Sequence, residues 1–346
     1  MELARAIYLS ALPHRQGFYR QGGWKLSSPD ASDWRSFLKE NFTALDRRYA
    51  LREARKAAEL TGEERASMRV LTIWDADYPE QLASIFDPPP VLFLRGDELP
   101  AGGAVGRPDE QPDGWNACAL VGTRDPAPIV NLAVDAYIRF TAQEAGVHSL
   151  QGAGAPIVSG FARGVDGRAH RAAMENGLPG VAVLGAGLRH AGPRANLELL
   201  QRARRLGVPF TLVSEFAPWV PGHARNFPRR NRIIAGLSRR VIIMQAPRGS
   251  GALITGRFAL EEGRDVVVFD HELLQGRGFN EGGRDFLEAG AERLVVPGLE
   301  ELILREPPDV MGGAGPSEEQ LDFRARRSRG EFVWLGGEYY GKKTDS

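Results

Sequence analysis

Four short clusters of small polar residues, each with an arginine close by, could together hold an anion. They are Gly122-Thr123-Arg124, Ser159-Gly160-Phe161-Ala162-Arg163-Gly164-Val165-Asp166, Gly185-Ala186-Gly187 and Arg248-Gly249-Ser250-Gly251. Small residues let backbone N–H groups approach a phosphate closely, and a helix N-terminus behind them favours negative charge. Arginine adds a planar fork of donors that matches phosphate. One such glycine is also what any tight turn needs; four clusters with arginine nearby argue for a phosphate-contacting rim. The strongest charge signal overlaps the last of them. Residues 216–260 contain no Asp or Glu but eight arginines: Arg225, Arg229, Arg230, Arg232, Arg239, Arg240, Arg248 and Arg257. Such a face binds polyanions in a salt-sensitive way. Phe161, Trp219 and Phe227 lie in or beside the same loops. Each could simply pack, but aromatics beside a cationic groove are how unpaired bases are held.

Other chemistries find less support. The chain has no G-x-x-x-x-G-K-[ST] loop, and Lys is absent from residues 57 to 341, which argues against a P-loop ATPase. Gly185-Ala186-Gly187 lacks the third glycine of a dinucleotide fingerprint. Asp166 and His170, four apart on one helix face, could form an acid–base pair. More simply, Asp166 orders its loop and His170 packs beneath. Glu215 stands alone at a strand end, and no nucleophile has an adjacent base. Cys118 is the only cysteine, so an internal disulfide and a Cys-rich zinc module are excluded. The six histidines never share a helix at ligand spacing, and no metal or cofactor is expected.

The 346 residues allow two or three domains, and 42% apolar with 25% charged is ordinary for a globular chain. The 44 basic and 44 acidic groups cancel, yet they are unevenly spread. Residues 1–115 carry a net charge of −3, residues 116–260 carry +11 and residues 261–346 carry −8. A basic middle between acidic ends points toward nucleic acid. No apolar run approaches the ~20 residues of a membrane helix, and the N-terminus is a poor signal peptide; a cytosolic protein is expected.

The elements that must position these clusters follow from periodicity. Strands are expected at Val91–Leu94, Ala117–Val121, Pro156–Ser159, Gly180–Leu184, Thr211–Ser214, Arg240–Gln245, Asp265–Phe269 and Arg293–Val296. Helices are expected at Ile129–Gly146, Ala162–Asn176, Ala195–Leu206, Arg229–Leu237 and Gly251–Gly263. This rhythm predicts βαβ units: an α/β, Rossmann-like, doubly wound and mostly parallel sheet over about 116–300. Continuous apolar runs such as Val241–Met244 fit strands buried on both faces. Ahead of it come a small helical domain over 1–75, with a charged helix from Asp46 to Arg69 broken near Thr61-Gly62, and an extended segment and linker over 76–115. A tail over 301–346 is expected to be disordered or a short packed appendage. In open parallel sheets ligands bind at the carboxyl ends of strands, and all four clusters follow expected strands.

Several long runs resemble the DNA-processing DprA (Smf) family. They are Ile157–Asp166 with Ala169-His170, Phe227–Ser238 (FPRRNRIIAGLS), Gly249–Thr255 (GSGALIT) and Leu120–Arg124. The Tyr78-Pro79 to Gly96 segment and Phe279-Asn280 to Gly290-Ala291 are also similar, so the likeness covers roughly 77–300. The resemblance implies a Rossmann-like domain that binds single-stranded DNA without sequence specificity. It implies homodimers that load RecA onto incoming DNA during natural transformation, a small helical (SAM-like) N-terminal domain and no catalytic activity. In the leading hypothesis, a DNA-binding mediator, Arg124, Arg163, Arg229, Arg230 and Arg232 would contact backbone phosphates. Gly122, Ser159, Gly160, Gly249, Ser250 and Gly251 would donate hydrogen bonds, and Phe161 would stack a base. Thr123, Gly164, Asp166, Asn231 and Thr255 complete the expected site. Three departures stand out: the Pro100–Gly114 linker with the Gln151–Gly154 insertion, the absence of Pro-Gly after Phe269-Asp270, and no room for a winged helix in 305–346. The rivals are a nucleoside-phosphate hydrolase of related fold, which would need an acid soon after Gly249 where the first is Glu261, and a small-nucleotide sensor.

Overall fold

The computed structural model describes residues 2–12, 39, 42–99, 116–146, 154–275, 278–305, 332–335 and 338–341. The Pro100–Gly114 linker and residues 151–153 of the insertion lie outside them. Its main sheet contains β1 (Arg69–Thr72), β2 (Val91–Gly96), β3 (Cys118–Gly122), β4 (Ile157–Ser159), β5 (Gly180–Val183), β6 (Phe210–Ser214), β7 (Arg240–Gln245), β8 (Asp265–Val268) and β9 (Glu292–Arg293). The order is β1-β2-β6-β5-β4-β3-β7-β8-β9. From β6 across to β9 every pairing is parallel. β2 joins β6 antiparallel, and β1 joins β2 antiparallel.

The helices are α1 (Glu2–Ala11), α2 (Ala44–Arg55), α3 (Gly62–Ala66), α4 (Glu80–Ala83), α5 (Pro128–Glu144), α6 (Val165–Glu175), α7 (Arg194–Leu206), α8 (Asn226–Gly236), α9 (Gly251–Glu261), α10 (Glu281–Glu288) and α11 (Leu299–Arg305). Strand side chains alternate between two apolar layers. Val241 and Ile243 face a layer with Ile233 and Ile234 of α8 and Ala252, Leu253 and Ala259 of α9. Ile242 and Met244 face the other, with Ile129, Val130 and Ile138 of α5 and Val165 and Ala169 of α6. A third cluster seats α1, α2 and α7 on Phe93, Phe210 and Leu212.

The sheet reaches beyond the 116–300 span. β1 lies within the stretch expected to be helical, and β2 makes the extended segment part of the same sheet. The expected break in the charged helix falls after a 3-10 turn, Lys56–Glu59, where Thr61 caps α3 reciprocally with Glu64. Of the last expected strand, Arg293–Val296, only Arg293 lies in a strand of the sheet, which begins one position earlier and has two residues, Glu292–Arg293. In the tail, Phe332–Leu335 and Glu338–Gly341 pair as an antiparallel hairpin.

Candidate nucleic-acid interface

β3 is the switch point of this sheet. Its chain continues to β4 on one side, while β7 pairs with it on the other. A crevice must open where the connections diverge. There lies a cavity of about 420 Å3, bordered by Gly122, Thr123 and Arg124 after β3, Arg248 to Ala252 after β7, and Asp166, Phe227, Arg230, Asn231 and Thr255. The turn after β3 is packed against its neighbours. A Cβ on Gly122 would lie 2.6 Å from Val165 Cγ2, and one on Gly164, whose φ is +77°, would lie 2.4 Å from the Thr123 carbonyl oxygen. The Val165 N–H donates to that same oxygen at 3.2 Å. Thus α6 begins directly under the first turn. Across the cavity, Gly249 has φ +79° with no atom within 4 Å of a hypothetical Cβ, so its glycine serves the turn and leaves the space open. Ser250 caps α9, its hydroxyl accepting from the Ala252 N–H at 3.3 Å. The positive end of α9 therefore borders the cavity.

Two arginines give the cavity its charge. Arg124 lies 5.6 Å from the ring centroid of Phe227 and makes no ion pair among the described residues. Arg230 forms the floor and is 5% exposed. Its Nε donates to Asn231 Oδ1 at 3.1 Å, and its Nη1 donates to the carbonyls of Gly160 and Val183. Burial lowers its pKa to about 10; nearby Asp166 works against the shift and Arg124 adds to it. Burial raises the Asp166 carboxyl above its usual range, against the pull of Arg230. Asn231 Nδ2 in turn donates to the Gly251 carbonyl at 3.0 Å, tying α8 to the start of α9. Arg248 also borders the cavity but pairs at 3.2 Å with exposed Asp285, an arrangement that is weak in water.

Other expected contacts are placed elsewhere. Arg232 is a structural residue: its guanidinium grips both oxygens of Glu215 at 2.9 Å and Asp87 Oδ2 at 3.0 Å. Burial alone would lower its pKa, but the charges of Glu215 and Asp87 outweigh burial and raise it. Glu215 is thus not alone; it also takes Arg229 at 2.9 Å. Arg229 lies over Phe216 and is half-exposed, outside the cavity lining. The Ser159 hydroxyl is buried and donates to the Leu120 carbonyl at 2.6 Å, so it joins two strands and is not free for a phosphate. Gly160 is buried against Asp166 and Arg230. Phe161 cannot stack a base: it is fully buried at φ +58°, among His170 and Phe210. The aromatic at the cavity is Phe227, 36% exposed. Asp166 orders its loop, accepting from the Ala162 N–H at 3.4 Å. His170 packs beneath, its pKa lowered to about 3 by burial and by Arg230. Arg163 is exposed beside the Arg124 turn, outside the lining. Arg239 and Arg240 sit at the opposite, amino end of β7, Arg240 facing Asp265 at 3.9 Å. The acid-free segment is therefore split, and the cationic site is smaller than the sequence implies.

Fold and site together define a doubly wound α/β protein with an arginine-lined crevice at its switch point. The chain belongs to the DNA recombination-mediator protein A family, whose sequence model matches residues 69–303. That match begins at β1, so both antiparallel strands, β1 and β2, belong to the family unit. The DNA processing protein DprA of Streptococcus pneumoniae is 33% identical over 235 residues, 67% of this chain and 72% of the relative. Protein Smf of Escherichia coli is 42% identical over 175 residues, 49% of this chain and 45% of the relative. The chain thus spans under half the length of that second relative. Among solved structures, S. pneumoniae DprA superposes with a TM-score of 0.65 at 28% identity, covering 86% of this chain and 95% of the other. DNA processing protein A of Helicobacter pylori, whose structure concerns its mode of binding single-stranded DNA, gives 0.52 at 26% identity, covering 68% and 94%. Among the described residues, no helix is long and apolar enough to cross a membrane, and no group of three His, Cys, Asp or Glu could hold a metal.

Proposed function

We propose that this protein binds single-stranded DNA without sequence preference, as a homodimer in the cytoplasm, and loads RecA onto the strand during natural transformation or related DNA processing. The observation that carries the reading is the guanidinium of Arg124, without an ion pair among the described residues, beside the Phe227 ring and lining one cavity with the N-terminus of α9. Backbone phosphates suit Arg124 and the turn N–H groups of Gly249 and Gly251; the Ser250 N–H donates to the Pro247 carbonyl at 3.0 Å. A base suits the face of Phe227, and stacking is tolerant of base identity. Arg163 would meet phosphates at the mouth, and Arg230 would supply fixed positive potential from below. Among the described residues that line the cavity Asp166 is the sole carboxylate; it is buried and engaged, which disfavours the hydrolase reading, and Glu261 lies at the far end of α9.

Fluorescence anisotropy with labelled single strands of different sequence, and with a duplex, tests the binding. Affinity is expected to be alike across single strands, weaker for the duplex, and to fall with salt at a log–log slope of about −0.7 per phosphate contacted. Equal affinity for wild-type protein and an Arg124→Ala, Arg163→Ala double variant at low salt would refute the site. RecA ATPase onset on a precoated strand tests loading, light scattering tests the dimer, and free-base release from a nucleoside monophosphate tests the hydrolase alternative.

A further inference from the structure

We propose that the bound strand leaves the switch-point cavity across the loop between β6 and α8 and continues along the exposed face of α2, making the N-terminal helical unit part of the nucleic-acid surface. This rests on the single-strand reading above. The loop physically joins the two places. A Cβ on Gly222 would lie 3.8 Å from Phe227 Cζ at the cavity. Three residues earlier, and so within about 10 Å along the chain, Trp219 Nε1 donates to Glu53 Oε2 of α2 at 2.8 Å. Lys56 Nζ sits 5.8 Å from the Trp219 ring centroid. His223 and Arg225 are exposed on the stretch between.

Beyond Trp219, α2 presents an uncommon solvent face. Leu45, Arg48, Tyr49 and Arg52 fall at helical spacing on one side, and all four are exposed, Leu45 by 76% and Tyr49 by 53%. Arg55 is exposed one turn on. Arg48, Arg52 and Arg55 make no ion pair among the described residues. Nearby acids are mostly committed: Asp46 caps the helix at Thr43, and Glu53 is shared by Lys56 and Trp219, leaving Glu59 exposed at the end of the following turn. Arginines flanking an exposed tyrosine on a helix suit phosphodiesters and a stacked base. Continuity with the cavity through the Trp219 loop identifies the occupant as the same strand rather than an acidic protein.

The test uses the full chain with the three exposed arginines of α2 replaced (Arg48→Ala, Arg52→Ala, Arg55→Ala) and oligothymidylates about 6 and about 25 nucleotides long, short enough for one groove and long enough to exceed it. The short strand is expected to bind as it does to wild type. The long strand is expected to weaken about tenfold, with the salt slope reduced by about 2. Lysine at the same three positions should restore most of the affinity, because charge and not packing is at issue. Unchanged long-strand binding overturns the proposal while leaving the cavity intact as a site. Equal weakening at both lengths, or no rescue by lysine, also overturns it. If wild-type protein binds neither strand, the single-strand reading itself fails.

Discussion

Replacing Arg232 by Ala should unfold the domain more readily and leave the DNA contacts untouched once folded. The side chain is 5% exposed and Glu215 is 2% exposed, and the pair is bidentate. Without Arg232, Glu215 loses its bidentate partner and keeps the ion pair with half-exposed Arg229, and Asp87, whose buried Oδ1 has no hydrogen-bond partner among the described residues, loses its ion pair. Removing one member of a buried pair costs about 3–5 kcal/mol, because the other charge is left without compensation. A unit the size of the matched segment shifts by roughly 2–4 °C per kcal/mol, so Tm should fall by roughly 6–20 °C. Differential scanning fluorimetry measures the shift, and anisotropy at a temperature where the variant is folded measures DNA affinity. A variant that keeps its Tm within 2 °C or so and yet loses affinity would show that Arg232 meets DNA directly, and the assignment made from its ion pairs would be wrong.

Arg124→Ala should show the converse, with Tm unchanged, affinity reduced on every sequence alike and the salt slope smaller by about 0.7. Phe227→Ala should cost about 1–3 kcal/mol of single-strand binding, whereas Phe161→Ala should cost about 3–5 kcal/mol of stability; the two variants exchanging these behaviours in paired melting and binding assays would reverse the aromatic assignment. His170 stays neutral in the fold down to about pH 3, but the unfolded chain takes up a proton below its ordinary value of 6.5. Stability should therefore drop as pH falls from 6.5, by about 1.4 kcal/mol per unit at most. His170→Leu should flatten that slope in urea titrations between pH 6.5 and 4.5. Asp166, with its pKa raised by burial, favours the fold in acid and loses that contribution as pH rises, a slope of opposite sign that is present in both proteins, so the difference between His170→Leu and wild type isolates the histidine.

Much of the α/β core was legible because its signals are local. Val241–Met244 reads as a two-sided strand from four adjacent apolar residues, and Gly249-Ser250-Gly251 reads as a turn and cap from three. β1 was not legible: Arg69–Thr72 is four residues long with one buried side chain, Leu71, too little to outweigh the helical residues before it. Its pairing with Leu92 and Phe93 is set across the chain. The resemblance to the DprA family carried the family assignment but not each residue's role.

The arginines show where local signal stops. Arg229, Arg230 and Arg232 sit within four positions of one another, yet one is half-exposed over Phe216, one is the cavity floor and one is locked to Glu215. Their fates depend on helical phase and on partners 17 and 145 residues away in sequence. A run without acids therefore does not mean a run without counter-charges: Glu215 borders the run and neutralises two of its members. The charge left free at the cavity comes chiefly from Arg124, which lies outside that run, as does exposed Arg163. What makes the crevice suited to a polyanion is consequently not the density of arginine along the chain. It is that the switch point brings two glycine turns and one helix N-terminus to a guanidinium that makes no ion pair among the described residues.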